Sequence, residues 1–356
     1  MGSFDSKIPC GRADSPVGQL RTAHNLSDEQ LLTILSTDIF DKELFSAADE
    51  TRRSVYSTAV FVRGLIEITS FCKNDCYYCG LRCSNTSAER YRLSEAEILK
   101  CCREGYALGF RTFVLQGGED MHCTDDFICG VISRIHKEFS DCAITLSLGE
   151  RSTGSYRKFF QAGARRYLLR HETADSRLYR MLHPSSMSSV NRKNCLFALK
   201  EIGFQTGTGF MVGAPFQTLQ NIVNDIRFMQ ALSPDMIGIG PFIHHHATPF
   251  AAFPDGSLLL TLRLIALLRL LFPSALIPST TALVSLCQEG RILGLKAGAN
   301  VIMPNLSPLA VRRKYQLYEN KAFSGMESAQ EIAALKKSVA AAGYEIVVDK
   351  GERAGL

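Results

Sequence analysis

LIEITSFCKNDCYYCGLRC, residues 65–83, runs from a short apolar segment into a loop with four cysteines in twelve positions. LIEIT has the length and branched side chains of a buried strand. The same unit then recurs. TFVLQ (112–116), AITLSL (143–148), RYLLR (166–170), QTGTGFMV (205–212), MIGIG (236–240), ALIPST (275–280) and NVIMP (300–304) follow, separated by amphipathic helical stretches. Between the first two, LSEAEILKCCREGYALG opens on the capping box Ser94–Glu97 and ends near Gly109, a C-cap residue. Eight strands alternating with helices pair in parallel and close on themselves, which predicts an α/β fold, a (β/α)8 TIM barrel. Residues 1–60 are expected to form an N-terminal helical extension, in which Ser27 and Gln30 make a second capping box. The barrel is expected over 61–305. A C-terminal segment, 306–356, should close or flank it with the helix AQEIAALKKSVAAAG.

The composition is that of an ordinary soluble globular chain: 356 residues, 46% hydrophobic, 21% charged, net charge +5. The basic residues do not cluster into runs, so no nucleic acid is expected as partner. LLLTLRLIALLRLLF (258–272) is interrupted by Arg263 and Arg269 and stops at Pro273. It reads as a helix with one face in a core, and no membrane partner is expected. MGSFDSKIPCGRAD has no apolar leader, so the chain is not expected to be secreted. Gly2 and Ser6 fit a loose myristoylation pattern, read here as an ordinary polar N-terminus. Twelve cysteines without a secretory signal are free thiols or metal ligands rather than a disulfide framework.

A barrel of this kind carries its chemistry at the C-terminal ends of its strands. There the sequence offers CKNDCYYC, QGGED, GE, RHET, GAPFQT, PFIHHH, STT and MPN in turn. Cys72, Cys76 and Cys79 form C-x3-C-x2-C. Three thiolates from one loop can hold three irons of a 4Fe–4S cube and leave the fourth open to a small chelating molecule. Cys83 would extend the motif to four ligands, and a closed four-thiolate site suits structural zinc or a ferredoxin-like cluster. Its position on a barrel loop, with the aromatic pair Tyr77–Tyr78 inside it, favours the open form, with Cys83 a free neighbour.

The triad, with Tyr78 before its last cysteine, resembles the signature of the radical SAM superfamily. Within it the chain is similar to the FeFe-hydrogenase maturase HydE family, through CKNDCYYCGLR, LQGGED, YLLRHETAD, GTGFMVGAP, DMIGIGPFI, IPSTTA, GANVIMPN and YQLYENK, over roughly residues 60–321. The resemblance implies a radical SAM barrel with one 4Fe–4S cluster on Cys72, Cys76 and Cys79, and S-adenosyl-L-methionine (SAM) on its open iron. Reductive cleavage of SAM would release methionine and a 5′-deoxyadenosyl radical. It further implies that Tyr78, Gly117, Gly118 and Glu119 line the cofactor, and that Glu172 and Arg192 bind the amino and carboxylate ends of SAM, a zwitterion that needs one acid and one base. The implied substrate is an iron complex carrying CO, cyanide and cysteine, attacked at the cysteine sulfur on the way to the di-iron subcluster of the hydrogenase. Matching positions for such an anion are Arg63, Arg170, Thr280, Thr281, Met303, Tyr315 and Tyr318. Implied partners are the other hydrogenase maturases and a reducing electron donor, in the cytoplasm or an anoxic organelle.

Besides the unexpected Cys83, two features depart from that pattern. No cysteine follows Cys287, so a second cluster in the C-terminal segment is not expected. PFIHHHATP replaces a proline-and-aspartate pattern; His244 to His246 could ligate a metal but fit a variant loop better. The remaining cysteines (10, 101, 102, 123, 129, 142, 195 and 287) read as packing or incidental thiols. The rival enzymes are biotin-synthase-like sulfur insertion, which needs cysteines on inner strands, and a methylornithine-synthase-like mutase. A four-cysteine electron-transfer or structural metal protein is the rival from another class.

Overall fold

A computed structural model describes residues 15–321 and 329–355; Gly2, Ser6 and Cys10 lie outside them. The strands are β1 (Ala59–Val62), β2 (Gly64–Thr69), β3 (Thr112–Gly117), β4 (Ala143–Ser147), β5 (Arg166–Leu168), β6 (Gln205–Thr208), β7 (Met211–Val212), β8 (Met236–Ile237), β9 (Gly240–Pro241), β10 (Val301–Ile302) and β11 (Glu345–Val347). Six form one parallel sheet in the order β2-β3-β4-β5-β6-β8. Leu276 bridges Met236, Pro278 bridges Val301, β10 pairs with β1, and Asn305 bridges Leu65. That completes the circle, a parallel barrel of eight staves.

ALIPST takes the seventh place through isolated bridges rather than a ladder, because Pro278 brings no N–H to it. The sixth and fifth candidates each divide in two, and the second pieces, β7 and β9, pair with each other at the mouth. β1 precedes the first stave with only Arg63 between them, and β11 pairs with β1 in parallel. Both were missed in the sequence, since AVFV and EIV are too short for periodicity to mark them. After β11 the chain runs across the N-terminal ends of the staves. Thr112 Oγ1 and Arg166 Nη1 donate to Lys350 O at 2.7 and 2.9 Å, and Arg353 Nη1 reaches Asp235 at 2.7 Å. This segment floors the barrel.

The helices outside follow the local chemistry. Both capping boxes form, Ser27 with Gln30 and Ser94 with Glu97, and Gly109 follows the second helix with φ +94°. The helix Leu258–Leu271 differs from its expected one-sided burial: every residue from Thr261 to Leu271 is buried. Its outer face is covered by the helix Asp41–Tyr56. Arg263 pairs with Asp41 at 2.5 Å, and Arg269 donates to the carbonyls of Gly298, Pro273 and Ala275. Buried guanidinium groups are tolerated where their donors are met. Among the described residues no helix is long and apolar enough to cross a membrane.

Candidate active site

Apolar Ile66 and Ile68 face the core outside the barrel, and the chain leaves β2 into the cysteine loop at the mouth. The loop is held by polar contacts of its own. Asp75 accepts from Arg82 Nε at 2.8 Å and from Ser84 N at 3.1 Å. Arg90 donates to four carbonyls, of Ser70, Leu81, Arg82 and Asn85, and Asn85 Nδ2 bonds Gly80 O at 2.7 Å.

Cys72, Cys76 and Cys79 are half-buried on this loop, whereas Cys83 is exposed. Burial pushes all three thiols up, Cys76 strongly and Cys79 to about 12, with neighbouring cysteines adding repulsion. Bound iron offsets such a cost by stabilising the thiolates. Among the described residues the cysteine sulfurs do not gather as a trio within 4.8 Å, as single-ion ligands do.

The QGGED turn packs directly on this loop. A Cβ on Gly118 would stand 2.2 Å from Phe71 O and 2.7 Å from Cys72 Cβ, so the approach demands glycine. Lys73 N donates to Glu119 O at 2.9 Å. The Glu119 carboxylate accepts from Glu150 N at 3.0 Å and lies 3.3 Å from Lys73 Nζ. Asp120, gripped by Arg92 at 2.6 and 3.0 Å and by Thr69 Oγ1 at 2.8 Å, fixes the turn from behind.

Arg192 is buried, 3.1 Å from Glu150 and 3.8 Å from Glu119. Burial works against its charge, but Glu150, Tyr179 and Glu119 outweigh that and hold it firmly protonated. Glu172 has φ +63°, a strained value for a non-glycine residue, and its Oε2 is buried without a hydrogen-bond partner. Tyr78 and Cys79 both feel its charge. One unsatisfied acid and one charged base thus flank the cysteine loop. Tyr78 itself is clamped from the other side, its hydroxyl 3.0 Å from His183 Nε2.

Inside the barrel the expected substrate residues separate into two levels. Near the mouth, Arg170 Nε donates to Gly238 O at 2.8 Å, and a Cβ on Gly240 would touch both Thr280 Oγ1 and Arg170 Nη2. Thr280 Oγ1 is buried and unpaired. Thr281 starts the helix behind it. Tyr318 lies within the field of Arg170, and the Tyr315 hydroxyl is 3.4 Å from Gln116 Nε2. Arg63 and Met303 sit lower. Arg63 Nη1 reaches Met236 Sδ at 3.0 Å, its charge is felt with Arg166 and Tyr56 at the floor, and Met303 packs on the Met236 cluster. Nε and Nη2 of Arg63 have no partner. Arg63 and Arg170 thus hold different partners, Met236 Sδ and Gly238 O.

Four groups here carry no sequence signal strong enough to name them beforehand. Glu150 follows β4 in the GE pair at the mouth and meets Arg192. Lys73 lies inside the cysteine loop. Glu67, fully buried in β2, pairs with Lys321 Nζ and accepts from Asn305 Nδ2 at 2.9 Å. Lys321 belongs to YQLYENK, whose Leu317 O accepts from Gly80 N of the cysteine loop at 2.8 Å. That segment is thereby tied to both the cysteine loop and the first stave.

His245, His246 and Glu319 do gather as single-ion ligands would. However, the two rings stack, 4.5 Å apart and 23° from parallel, so their lone pairs do not converge. His245 Nδ1 already accepts from Ala247 N at 3.1 Å, and His246 Nδ1 bonds Glu319 at 2.6 Å. Glu319 N also donates to His244 O at 2.8 Å. The histidine loop latches the YQLYENK segment.

Residues 66–229 match the model of the Radical SAM superfamily. The chain is 46% identical to the [FeFe] hydrogenase maturase subunit HydE of Thermotoga maritima, over 79% of this chain and 80% of that one. It is 31% identical to the 3-methylornithine synthase of Methanosarcina barkeri, over 85% and 86%. Among solved structures it is similar to methylornithine synthase, with a TM-score of 0.81 and 27% identity over 94% of this chain and 97% of that one.

Proposed function

Given that the chain belongs to the radical SAM superfamily and, within it, to the HydE family of [FeFe]-hydrogenase maturases, we propose that it generates a 5′-deoxyadenosyl radical and directs it at a cysteine-bearing iron carbonyl cyanide complex. The observation that carries the maturase assignment is the 46% identity across four fifths of both chains. Cys72, Cys76 and Cys79 would hold the 4Fe–4S cluster, three free thiols offered by one loop with C-x3-C-x2-C spacing. When bound, the cluster supplies the electron that cleaves SAM to methionine and the radical.

The chain's own residues do the positioning. The unpaired Glu172 carboxylate accepts from the ammonium of SAM, and Arg192 faces its carboxylate. The Gly117–Gly118–Glu119 turn, fixed by Asp120, brings backbone close to the loop that carries the cluster. Tyr78 bounds the same space. In the lumen, Arg170, Thr280 and Tyr318, with Thr281 and Tyr315 behind them, offer cation and hydroxyl groups to an anionic complex. The unpartnered atoms of Arg63, with Met303 beside the same Met236 cluster, extend that cationic lining towards the floor. The other maturases and a one-electron donor are the partners this role requires.

Methylornithine-synthase-like mutation is the second reading, favoured by the barrel superposition. Sulfur insertion of the biotin-synthase kind is disfavoured, because no described strand contains a cysteine. The test is anaerobic reconstitution with SAM and dithionite. The proposal expects 5′-deoxyadenosine from the wild type, none from Cys76→Ala, and a loss of at least tenfold in SAM affinity for Glu172→Gln. Cleavage that survives Cys76→Ala would overturn it.

A further inference from the structure

We propose that His183 is a positioning residue that makes the Tyr78 hydroxyl an obligate hydrogen-bond acceptor towards the cofactor space, so that a bound ligand must present an N–H or ammonium donor there. The inference rests on the proposed SAM site and adds a residue outside the cysteine, glycine and acid–base groups already named.

The directions follow from the partners. His183 Nδ1 lies 2.9 Å from Tyr179 O, and a carbonyl can only accept, so Nδ1 carries the proton. A neutral imidazole then has a lone pair on Nε2, which stands 3.0 Å from Tyr78 Oη. The Tyr78 hydroxyl has one proton and also lies within hydrogen-bonding reach of the Cys76 sulfur, but Nε2 can only accept at this distance, so the proton goes to His183. What remains on Oη towards the site is lone pair alone. Burial keeps the imidazole neutral, holding its pKa down to about 3, so the donor order is not reversed at working pH.

The corner is rigid. His183 is 1% exposed and ends the helix Ser176–Leu182, whose carbonyl at Tyr179 receives both its backbone N–H and its ring N–H. Its ring stacks on Tyr179 at 4.0 Å and meets Tyr78 edge-on at 5.3 Å. The cysteine loop is docked on the same turn by Tyr77 N, which donates to Leu182 O at 3.0 Å. The Tyr78 hydroxyl lies in the field of Cys76, Glu172, Arg192 and Cys79, the groups that surround the proposed ligand. SAM carries two donors of the required class, its ammonium and its exocyclic amine.

The test uses the reconstituted, reduced holoprotein and reads SAM binding from the change in the electron paramagnetic resonance spectrum of the cluster. His183→Phe removes the acceptor and frees the Tyr78 proton to turn into the site; it should weaken SAM binding by about tenfold while iron content stays at the wild-type level. His183→Gln, whose Oε1 can accept, should stay within about threefold of wild type. In a Tyr78→Phe background, His183→Phe should cost nothing further, because its only route is through the hydroxyl. Wild-type SAM affinity in His183→Phe or in Tyr78→Phe overturns the inference, as does an undiminished effect of His183→Phe in the Tyr78→Phe background. If His183→Phe fails to fold, His183→Leu, which also removes the acceptor, takes its place, with the same tenfold loss expected and wild-type SAM affinity overturning the inference. A wild-type spectrum indifferent to SAM overturns the SAM site as well, which separates the two failures.

Discussion

Replacing Lys321 by Met should destabilise the protein far more than a substitution in the segment that follows the barrel ordinarily would. The Lys321 side chain is 8% exposed and Glu67 is fully buried, and the two form an ion pair inside the barrel. Lys321 Nζ also donates to Tyr315 O at 3.0 Å, and the ammonium lies 4.6 Å from the Tyr315 ring centroid. Without it the Glu67 carboxylate keeps, among the described residues, Asn305 Nδ2 at 2.9 Å. Breaking a buried pair by removing one partner costs about 3–5 kcal/mol, because the remaining charge has no water to return to. With an unfolding entropy of about 2.1 cal/mol/K per residue, that is a fall in Tm of roughly 4–7 °C for a chain of this length. Differential scanning calorimetry on the anaerobically prepared protein measures it. Adding Glu67→Gln to Lys321→Met removes the orphaned charge and should recover at least half of the loss. A single variant within 1 °C of wild type, or a double variant as unstable as the single one, would refute the buried-pair account.

Gly118→Ala should abolish stable cluster retention, since its Cβ would meet backbone 2.2 Å away at Phe71; iron per protein after desalting checks it, and a full complement contradicts it. Cys83→Ala should keep both iron content and the spectral response to SAM, because Cys83 is exposed and outside the triad; cluster loss would point to four-thiolate ligation. His183 gives a pH dependence with a definite sign. Its folded pKa of about 3 lies below the ordinary 6.5, so its contribution is complete above pH 6.5 and is lost as pH falls. Between those values stability should drop by about 1.4 kcal/mol per pH unit from this group. From pH 7 to pH 5 the wild type should therefore lose about 2 kcal/mol more than His183→Gln in denaturant titrations, and equal losses would contradict it.

The barrel was legible because its staves are apolar runs of strand length separated by capped helices, and periodicity survives whatever the tertiary context adds. The cysteine loop was legible because spacing alone places three sulfurs on one turn. What escaped is what depends on partners distant in sequence. β1 and β11 are marked only by each other, and the floor is built by residues 345–354 lying across staves that begin at 112 and 166. Arg63 gives the same pattern whether it points to the mouth or the floor; the neighbours Tyr56, Arg166 and Glu352 place it near the floor. His183 looks like an ordinary loop histidine until the fold brings Tyr78 to it, 105 positions away. Lys321 and Glu67, 254 positions apart, escaped for the same reason. The two capping boxes, by contrast, are local and formed where the sequence put them.

The most direct test of the central claim is maturation in vitro. The anaerobically reconstituted chain would serve as the only HydE-type component alongside the other maturases and apo-hydrogenase, with hydrogen evolution and 5′-deoxyadenosine assayed together. The account predicts that both appear and that both vanish in Cys72→Ala, Cys76→Ala and Cys79→Ala. SAM cleavage with no hydrogenase activity would contradict the maturase role, and hydrogenase activity that persists in the three cysteine variants would contradict the radical chemistry itself.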